Sequence, residues 1–448
     1  MRKYLAIWVT KFLIWAGKVA GKAGSSTPGR FGLKICPSLL ADLASQVKEG
    51  IFVVCGTNGK TTTNNLLCAA LRSEGKTVVC NNVGANMLNG VATAFIAAAD
   101  MRGRLAADYA CIEVDEASTL RVFPHFHPNF LVLTNLFRDQ LDRYGEIDIT
   151  MDIFKKALAL SPETKLIVNA DDPLSVALAV ESGHPCVCYG VNEDTGFSQY
   201  AAQETKEGRF CRLCGAELVY RFYHYSQLGD YACPSCGFHR PDPTYAATQV
   251  NTNSGIQFTV EGRRFSVDYH GFYNVYNMLA AYAAARESGA GLEHFQQVLD
   301  DYHPQNGRME RFSLAKPVVL NLAKNPAGFN QNISALLEDG GSKDVIVLIN
   351  DNEQDGQDVS WLWDVDFERL KQANVVSFGV CGIRGRDMQV RFKYAGIHAQ
   401  LYTGVEEAVR NMLPSNAETL YVLVNYTGLF ATHNVLKRME TQGGGKHE

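Results

Sequence analysis

The sequence lacks the features that mark membrane-spanning, repetitive or disordered proteins, and its composition is typical of a soluble globular protein. No apolar run approaches the roughly 20 residues that cross a bilayer, and no internal repeat or low-complexity tract is evident. A net charge of -5, with 46% hydrophobic and 20% charged residues, excludes a disordered chain, a collagen and a basic coat for nucleic acid. A length of 448 residues predicts two or three domains with sizeable cores.

Cysteine is too sparse for a secreted disulfide scaffold, with 12 residues in the chain and no convincing cleavable signal. Reduced cytoplasmic thiols are therefore expected. Four cysteines are an exception, because Cys211-x-x-Cys214 and Cys233-x-x-Cys236 follow each other closely and a Gly ends each pair. Two such knuckles predict a closed, structural Zn²⁺ site in an insertion at about 203–242, with a redox dithiol as the alternative.

The first twenty residues predict an amphipathic helix that is too short to span a membrane, since Lys11 interrupts its apolar run. On a helical wheel one polar stripe lies opposite one apolar stripe. The polar stripe contains Lys3, Thr10, Lys11, Gly17 and Lys18, and the apolar stripe contains Leu5, Trp8, Phe12 and Trp15. Three interpretations stay open: a helix docked on its own domain, a helix in the membrane interface, and a signal peptide. A Gly/Ser/Pro-rich connector follows, which sets residues 1–40 apart.

Two series of Val- and Ile-rich runs predict the fold. The first series contains IFVVC, TVVCN, YACIEV, FLVLTN, KLIVNA and CVCYG, and the second contains PVVLNLA, VIVLIN, VVSFG and TLYVLVNY. Continuous apolar runs separated by helix-length stretches are typical of buried parallel strands joined by crossover helices. We therefore predict an α/β protein with a central ATP-binding domain at 41–311 and a C-terminal, Rossmann-like α/β domain at 312–448.

The strongest chemical motif directly follows the first predicted strand. It consists of Gly56, Thr57, Asn58, Gly59, Lys60, Thr61 and Thr62. A strand, a Gly-containing turn and a Lys-Thr pair that opens a helix allow backbone N–H groups to surround a phosphate. Lys60 is expected to reach the terminal phosphates of a nucleotide and Thr61 to hold Mg²⁺. The spacing is two residues shorter than the general phosphate loop unless Val54 stands for the first Gly.

This loop resembles that of the Mur ligase family, ATP-dependent ligases that join carboxylates to amines in peptidoglycan precursor synthesis. Further segments resemble the family's motifs in the same order. They are Glu113–Ala117, Thr134–Asp142, Asn169–Asp172, Gly271–Asn277, Gly307–Glu310 and Asn325–Pro326. The resemblance implies a Mur ligase central ATPase domain and a reaction through an acyl phosphate made from ATP.

The resemblance also implies roles for single residues. Lys60 and Arg308 would neutralise the phosphates, and Thr61 and Glu113 would hold Mg²⁺, with Asp115 and Glu116 as competing acidic ligands. Asn274 and Asn277 would face the nucleotide. Without the family resemblance, the two asparagines could simply cap a helix, and Arg308 could be an ordinary surface residue.

Two features depart from the family's pattern. Gln140 stands where the family usually has a His that helps to hold a second Mg²⁺, and a neutral amide is a weaker ligand. Many members also use a carbamylated lysine in the region of Lys155 and Lys156, but two surface lysines on an amphipathic helix explain this pair equally well.

Three features resemble one branch of the family, the glutamine-dependent ligases that amidate lipid II. They are the Cys₄ insertion, a phosphate loop that begins only at residue 56, without the usual UDP-binding domain before it, and the segment Asn350–Asp364. This branch implies amidation of the D-glutamate α-carboxylate of the lipid II stem peptide to D-isoglutamine. It also implies a cytoplasmic protein, peripheral at the inner face of the membrane, with no nucleic-acid partner.

The ammonia would come from glutamine hydrolysed by a separate, GatD-like glutamine amidotransferase in a heterodimer. None of the 11 His has a Glu two residues later, so a glutaminase site built on Cys381 is not expected in this chain. The resemblance assigns the acidic member of the partner's catalytic triad to Asp355, with Asp358 as the alternative. Read without the family, Asp355-Gly356 is a turn.

Two other function classes remain open. One is a Mur-like ligase that adds an amino acid, as in peptide or folate glutamylation. The other is a non-catalytic, ATP-gated binding module with a zinc ribbon.

Overall fold

A computed structural model describes residues 1–19, 26–81, 85–138, 147–196, 208–252, 255–268, 270–302 and 307–444. The strands up to residue 267 are, in chain order, β1 (Gly50–Cys55), β2 (Val78–Cys80), β3 (Tyr109–Glu113), β4 (Phe130–Leu133), β5 (Lys165–Asn169), β6 (Cys186–Val191), β7 (Val219–Tyr225), β8 (Leu228–Ala232), β9 (Tyr245–Asn251), β10 (Ile256–Val260) and β11 (Arg263–Val267). Nine of them form one sheet in the order β11-β10-β9-β6-β5-β4-β1-β3-β2, while β7 and β8 form a separate hairpin.

The prediction of parallel strands is confirmed, because every pair between β9 and β2 in this sheet is parallel and only β10 and β11 are antiparallel. The sheet is buried on both faces. Phe52 and Val54 of β1 belong to one apolar cluster, whereas Ile51, Val53 and Cys55 belong to the other. Burial of alternate residues on opposite faces explains why the strands read as continuous apolar runs.

The α-helices of the described residues cover these faces. They are α1 (Arg2–Val19), α2 (Thr27–Ile35), α3 (Leu39–Ala44), α4 (Lys60–Ser73), α5 (Leu88–Ala98), α6 (Thr119–Val122), α7 (Ile147–Ala159), α8 (Pro173–Ser182), α9 (Tyr273–Glu287), α10 (Phe295–Asp300), α11 (Pro326–Glu338), α12 (Gly385–Tyr394), α13 (Val405–Met412) and α14 (Tyr426–Gly444). On the central sheet, α4, α9 and α10 cover one face, and α5, α7 and α8 cover the other.

A second sheet follows residue 309. Its strands are β12 (Glu310–Ser313), β13 (Pro317–Leu322), β14 (Lys343–Leu348), β15 (Val375–Cys381), β16 (Gln400–Leu401) and β17 (Thr419–Val424). They lie in the order β12-β13-β17-β14-β15-β16, and only the edge strand β12 is antiparallel. All four apolar runs of the second predicted series are therefore strands of one α/β unit.

The N-terminal helix is docked on α2 and α5, but not through its apolar stripe. The buried residues of α1 are Ala6, Ile7 and Thr10. Thr10 donates a hydrogen bond to the carbonyl of Pro28. Of the predicted polar stripe, Thr10 is buried against the protein, Lys3, Lys11 and Gly17 are half-buried and Lys18 is exposed. The aromatic stripe faces outward.

The Cys-bearing insertion is tied to the central sheet by a buried ion pair. Asp171, which follows β5, accepts hydrogen bonds from Arg240 Nε at 2.6 Å, Tyr276 Oη at 2.6 Å and the Val191 amide at 2.8 Å. Both charged side chains are almost completely buried. A buried charge needs such partners, so this contact fixes how the insertion sits on the sheet.

Replacing Asp171 by Asn should therefore destabilise the protein strongly, since it leaves the Arg240 charge without its counterion. We expect a loss of about 3 to 5 kcal/mol in the free energy of unfolding, measured by urea denaturation followed by fluorescence. Glu406→Gln is the control, because Glu406 pairs with Arg410 at the exposed surface and should cost less than about 1 kcal/mol. Equal losses in the two variants would contradict the assigned role of Asp171.

Candidate active site

The phosphate loop lies at the carboxyl end of β1 and leads directly into α4. Gly56 has φ +123° and Gly59 has φ +85°, conformations that other residues rarely adopt. Both glycines also face close neighbours, since a Cβ atom would meet Thr134 at Gly56 and Asn277 at Gly59. The sequence positions of the two glycines are thus required by both backbone conformation and space.

Lys60 is buried at the mouth of this loop. Its Nζ donates to Glu116 Oε1 at 2.8 Å and to the Gly56 carbonyl, and the Gly56 amide donates to the same Glu116 oxygen at 3.1 Å. Burial alone would lower the pKa of Lys60, but the carboxylates of Glu116, Asp115 and Glu113 raise it above its usual value. The lysine and the loop amide together form an anion-binding position, which the Glu116 carboxylate occupies.

Glu116 itself is held in an unfavourable environment. Burial raises the pKa of its carboxyl to about 7, although Lys60 and the more distant Lys324 favour the charged form. Sequence reasoning treated Glu116 only as a competitor for Mg²⁺. The structure instead places it against Lys60, which leaves Glu113 as the acidic residue beside Thr61.

Thr61 contacts both Glu113 and Arg308. Thr61 Oγ1 donates to Glu113 Oε2 at 2.7 Å, and Arg308 donates to Thr61 Oγ1 at 3.0 Å. Glu113 ends β3, and its other oxygen accepts from Asn86 at 3.1 Å. Oxygen donors this close suit Mg²⁺, and the guanidinium brings positive charge to the same place. Arg308 is half-buried and contacts Thr61, so it is not a freely exposed arginine.

Asn274 and Asn277 lie on the first turns of α9, which pack against the loop. Asn277 Nδ2 donates to Asn274 Oδ1 at 3.1 Å, and Asn274 Nδ2 donates to the His270 carbonyl at 3.2 Å. No side chain caps this helix start. The capping alternative is thus not what the structure shows, and Asn277 lies beside Gly59.

The C-terminal unit, which contains the second sheet and begins at Gly307, contacts the loop through a pair of amides. Asn58 and Asn325 exchange hydrogen bonds of 3.2 and 3.4 Å, and Asn325 also accepts from the Gly328 amide at 2.8 Å at the start of α11. Arg138 forms an ion pair with Asp364 across the same boundary. A cavity between the two units is lined by residues of both, among them Phe137, Ser226 and Pro326.

Gln227 is a positioning residue that the sequence does not reveal. It lies in the tight turn between β7 and β8 and is completely buried. Its Nε2 donates to the Leu136 carbonyl at 2.7 Å, and the Leu136 amide donates to Asp172 Oδ2 at 2.8 Å. Burial raises the pKa of Asp172 to about 6 despite its several hydrogen-bond donors. The inserted hairpin thus fixes the backbone of the segment Thr134–Arg138.

That segment in turn holds the phosphate loop. Asn135 Oδ1 accepts from the Asn58 amide at 2.9 Å, and Thr134 Oγ1 donates to the Asn58 carbonyl at 2.7 Å. Thr57 Oγ1 donates to the Phe137 carbonyl at 3.0 Å and accepts from the Phe137 amide at 2.9 Å. A continuous chain of hydrogen bonds therefore connects the insertion with the loop.

The four motif cysteines are brought together. Their Sγ atoms all lie within 4.8 Å of one another, with 3.6 Å between Cys211 and Cys236 and 3.4 Å between Cys214 and Cys233. Four sulfurs at the Zn–S distance of about 2.3 Å form a tetrahedron with edges of about 3.8 Å. Burial opposes ionisation of Cys233, but the amides of Cys236 and Ser235 lower its pKa. The group therefore fits a tetrahedral metal ion.

The remaining predicted residues lie elsewhere. Asp355 is 4% exposed, and its carboxylate accepts from the Thr427 amide at 2.8 Å and from the Thr427 hydroxyl, at the start of α14. Asp358 is half-buried and accepts from the Ser360 amide. Lys155 pairs with Glu181, and Lys156 is exposed. Gln140, with Asp139 and Asp142, lies outside the described residues.

Cys381 has no features of a nucleophile. It is completely buried, and burial raises the pKa of its thiol to about 12. A thiol of this kind is not ionised at neutral pH.

Comparisons with known proteins agree with the geometry. The Mur ligase middle domain matches residues 54–285, and the MurT ligase C-terminal domain matches residues 322–429. The chain is 35% identical over 436 residues to the MurT subunit of lipid II isoglutaminyl synthase from Staphylococcus aureus (strain COL), which covers 96% of each chain. It is 33% identical to the MurT subunit from Streptococcus pneumoniae (strain ATCC BAA-255 / R6), which covers 92% of each.

Solved structures show the same fold at lower identity. A pseudomurein peptide ligase type C from Methanothermus fervidus has a TM-score of 0.69 and 23% identity, covering 88% of this chain and 79% of that one. MurF from Acinetobacter baumannii has a TM-score of 0.66 and 14% identity, covering 92% and 80%.

The protein is thus an ATP-dependent ligase of the Mur ligase class, whose members use ATP and Mg²⁺ in peptidoglycan synthesis. Within this class, the chain belongs to the family of MurT subunits of lipid II isoglutaminyl synthase. Its relatives are named as subunits, which implies an assembly with a second protein.

Gln227→Leu should weaken ATP binding although Gln227 does not contact the phosphate loop directly. The variant leaves the Leu136 carbonyl without its buried donor, so the phosphate loop loses its fixed support and the KM for ATP should rise about tenfold. Gln389→Leu is the matched control, because Gln389 Nε2 also donates to a backbone carbonyl, that of Ala399, in the C-terminal unit. Steady-state ATP kinetics distinguish the two variants, since only the Gln227 variant should have a raised KM. An unchanged KM in that variant would contradict the link between the hairpin and the phosphate loop.

Proposed function

We propose that this ligase amidates the α-carboxylate of D-glutamate in the lipid II stem peptide to D-isoglutamine. The observation that carries the proposal is the contact of Thr61 with Glu113 and Arg308 next to the buried Lys60, in a chain similar to MurT subunits over almost its whole length. The protein would act at the cytoplasmic face of the membrane as a peripheral protein. Nucleic acid would not be among its partners.

The first step is transfer of the γ-phosphoryl group of ATP to the substrate carboxylate. A carboxylate oxygen is a poor leaving group, and the acyl phosphate converts it into a good one, with ADP as the other product. Phosphoryl transfer depends mainly on positioning and charge neutralisation. The amides of Gly56 to Lys60 would surround the β- and γ-phosphates, and Asn274 and Asn277 would face the rest of the nucleotide.

Lys60 and Arg308 would carry the positive charge that the transferring group needs. Lys60 is buried at the end of the loop, where α4 begins, and Arg308 approaches Thr61 from the C-terminal unit. Thr61 and Glu113 fit Mg²⁺, which when bound neutralises phosphate oxygens. To reach the phosphates, Lys60 would exchange the Glu116 carboxylate for the nucleotide, since one anion replaces another.

The second step is attack of ammonia on the acyl phosphate. The nitrogen forms the new C–N bond, phosphate leaves, and the nitrogen loses its extra proton. We propose that a GatD-like glutamine amidotransferase subunit supplies the ammonia in a heterodimer with this chain. Its catalytic Cys and His would be completed by a carboxylate of this chain, for which Asp355 is our choice and Asp358 the alternative.

The four-cysteine cluster would hold structural Zn²⁺. A closed set of four thiolates leaves no position for water or substrate, so the ion would stabilise the insertion and take no part in the chemistry. Its link to the active site would run through the hairpin and Gln227.

Amidation itself is the first test. The full-length chain, ATP, Mg²⁺ and lipid II are incubated with ammonium or with a purified glutaminase partner and glutamine, and the stem peptide is analysed by mass spectrometry. A gain of one amide supports the proposal. No amide under either condition, or ATP turnover only with an added amino acid, would reject it and favour an amino-acid-adding ligase.

Glu113→Gln should lower the ammonium-driven rate by about 100-fold or more, because a neutral amide replaces the charged ligand beside Thr61. The control is Glu49→Gln, since Glu49 pairs with Lys76 at the surface and should leave the rate unchanged. A Glu113 variant with full activity would exclude it from the site.

Asp355→Asn should leave the ammonium-driven reaction nearly unchanged and reduce the glutamine-driven one by about 100-fold or more, since an amide cannot stabilise a charged His in the partner. Asn retains an oxygen for the Thr427 amide, so the start of α14 should persist. Asp358→Asn is the matched variant. If it alone loses the glutamine-driven rate, the triad residue is Asp358.

A further inference from the structure

We propose that the N-terminal helix α1 is a binding surface for an anionic lipid bilayer. Five large apolar side chains project from one stripe of this helix and are mostly exposed: Leu5 (53%), Trp8 (53%), Phe12 (61%), Trp15 (61%) and Val19 (72%). A helix that serves only its own fold buries such a stripe. Here the docking face consists instead of Ala6, Ile7 and Thr10.

The direction of the stripe is fixed by close contacts on the opposite side. A Cβ atom at Gly32 would collide with Thr10, and one at Gly103 with Ile7, so neither residue leaves room for a rotated helix. Trp8 Nε1 donates to the Met101 carbonyl and Lys11 Nζ to the Ala97 carbonyl, each at 3.0 Å. The helix therefore cannot turn its aromatic residues inward without breaking the packing that holds it.

Charge identifies the partner. The sequence before Asp42 contains no acidic residue, but it contains Arg2, Lys3, Lys11, Lys18, Lys22, Arg30 and Lys34. Asp100, whose charge acts on Lys11, is itself paired with Arg104 at 2.7 Å. Aromatic residues between lysines suit the interface of an anionic membrane, where the rings enter the headgroup region and the ammonium groups meet phosphates.

The length of the helix excludes a different membrane role. Within the described part of the chain, no helix is long and apolar enough to cross a bilayer. The surface would therefore lie in the interface plane. This placement is useful if the substrate is lipid-linked, a point that rests on the proposed function, although binding of the helix to lipid does not depend on it.

The test uses the full-length chain and vesicles rich in phosphatidylglycerol, with pure phosphatidylcholine vesicles alongside, in a flotation assay. We expect binding to the anionic vesicles only, weakened by salt. The variant W8S/F12S/W15S should reduce that binding by more than about 100-fold. The control V376S/V390S/Y394S changes exposed apolar residues of the C-terminal unit and should bind like the unchanged protein.

A second variant tests the charge contribution. K18E/K34E changes two exposed lysines and should weaken binding about 30-fold or more, because each basic residue near an anionic surface contributes about 1 kcal/mol. No vesicle binding, equal binding to neutral vesicles, or undiminished binding of the triple variant would overturn the proposal. So would a dimer in solution that the triple variant abolishes, since a second copy would then cover the stripe.

Amidation of lipid II in detergent separates this proposal from the proposed function. The triple variant should retain its rate there, because the substrate is no longer in a bilayer. Vesicle binding without any amidation in detergent would reject the enzyme assignment and leave the membrane surface intact. Amidation in detergent without vesicle binding would reject the membrane surface and leave the enzyme assignment intact.

Discussion

The active site depends on one constraint: a lysine that is buried among carboxylates must keep its charge. Lys60 retains its proton because Glu113, Asp115 and Glu116 lie at or just after the end of β3, beside the end of β1 where the phosphate loop begins. Parallel strands bring their carboxyl ends to one edge of the sheet, so the fold itself concentrates these groups. The excess of negative charge there suits a cation, and the loop amides suit phosphate.

The same constraint extends to the second sheet. A site that binds ATP at the edge of one domain remains open to water unless another element covers it. Asn58 with Asn325, Arg138 with Asp364 and Arg308 with Thr61 join the C-terminal unit to that edge. These contacts are polar, and Ala327 adds an apolar contact with the cluster of the central sheet.

Much of this was predictable from local patterns. The apolar runs predicted the parallel strands, because burial on both faces removes polar residues from a strand, and the paired cysteines predicted a cluster that the structure assembles. Gln227 was not predictable, because its role depends on where a hairpin tip meets Leu136 after folding. Nor was the outward direction of Trp8 and Trp15, since periodicity identifies the two faces of a helix but not which one docks.

By itself, the sequence determined the kind of protein: strand periods, glycine positions in the phosphate loop and cysteine spacing are local properties, and each follows from backbone conformation or ligand geometry. Only the tertiary structure decided which acidic residue faces which cation, with Glu116 beside Lys60 and Glu113 beside Thr61. It also decided that Asn325 meets Asn58 across 267 residues. Such pairings depend on distances of a few ångströms between strands and domains, and these are set by packing and not by chain position.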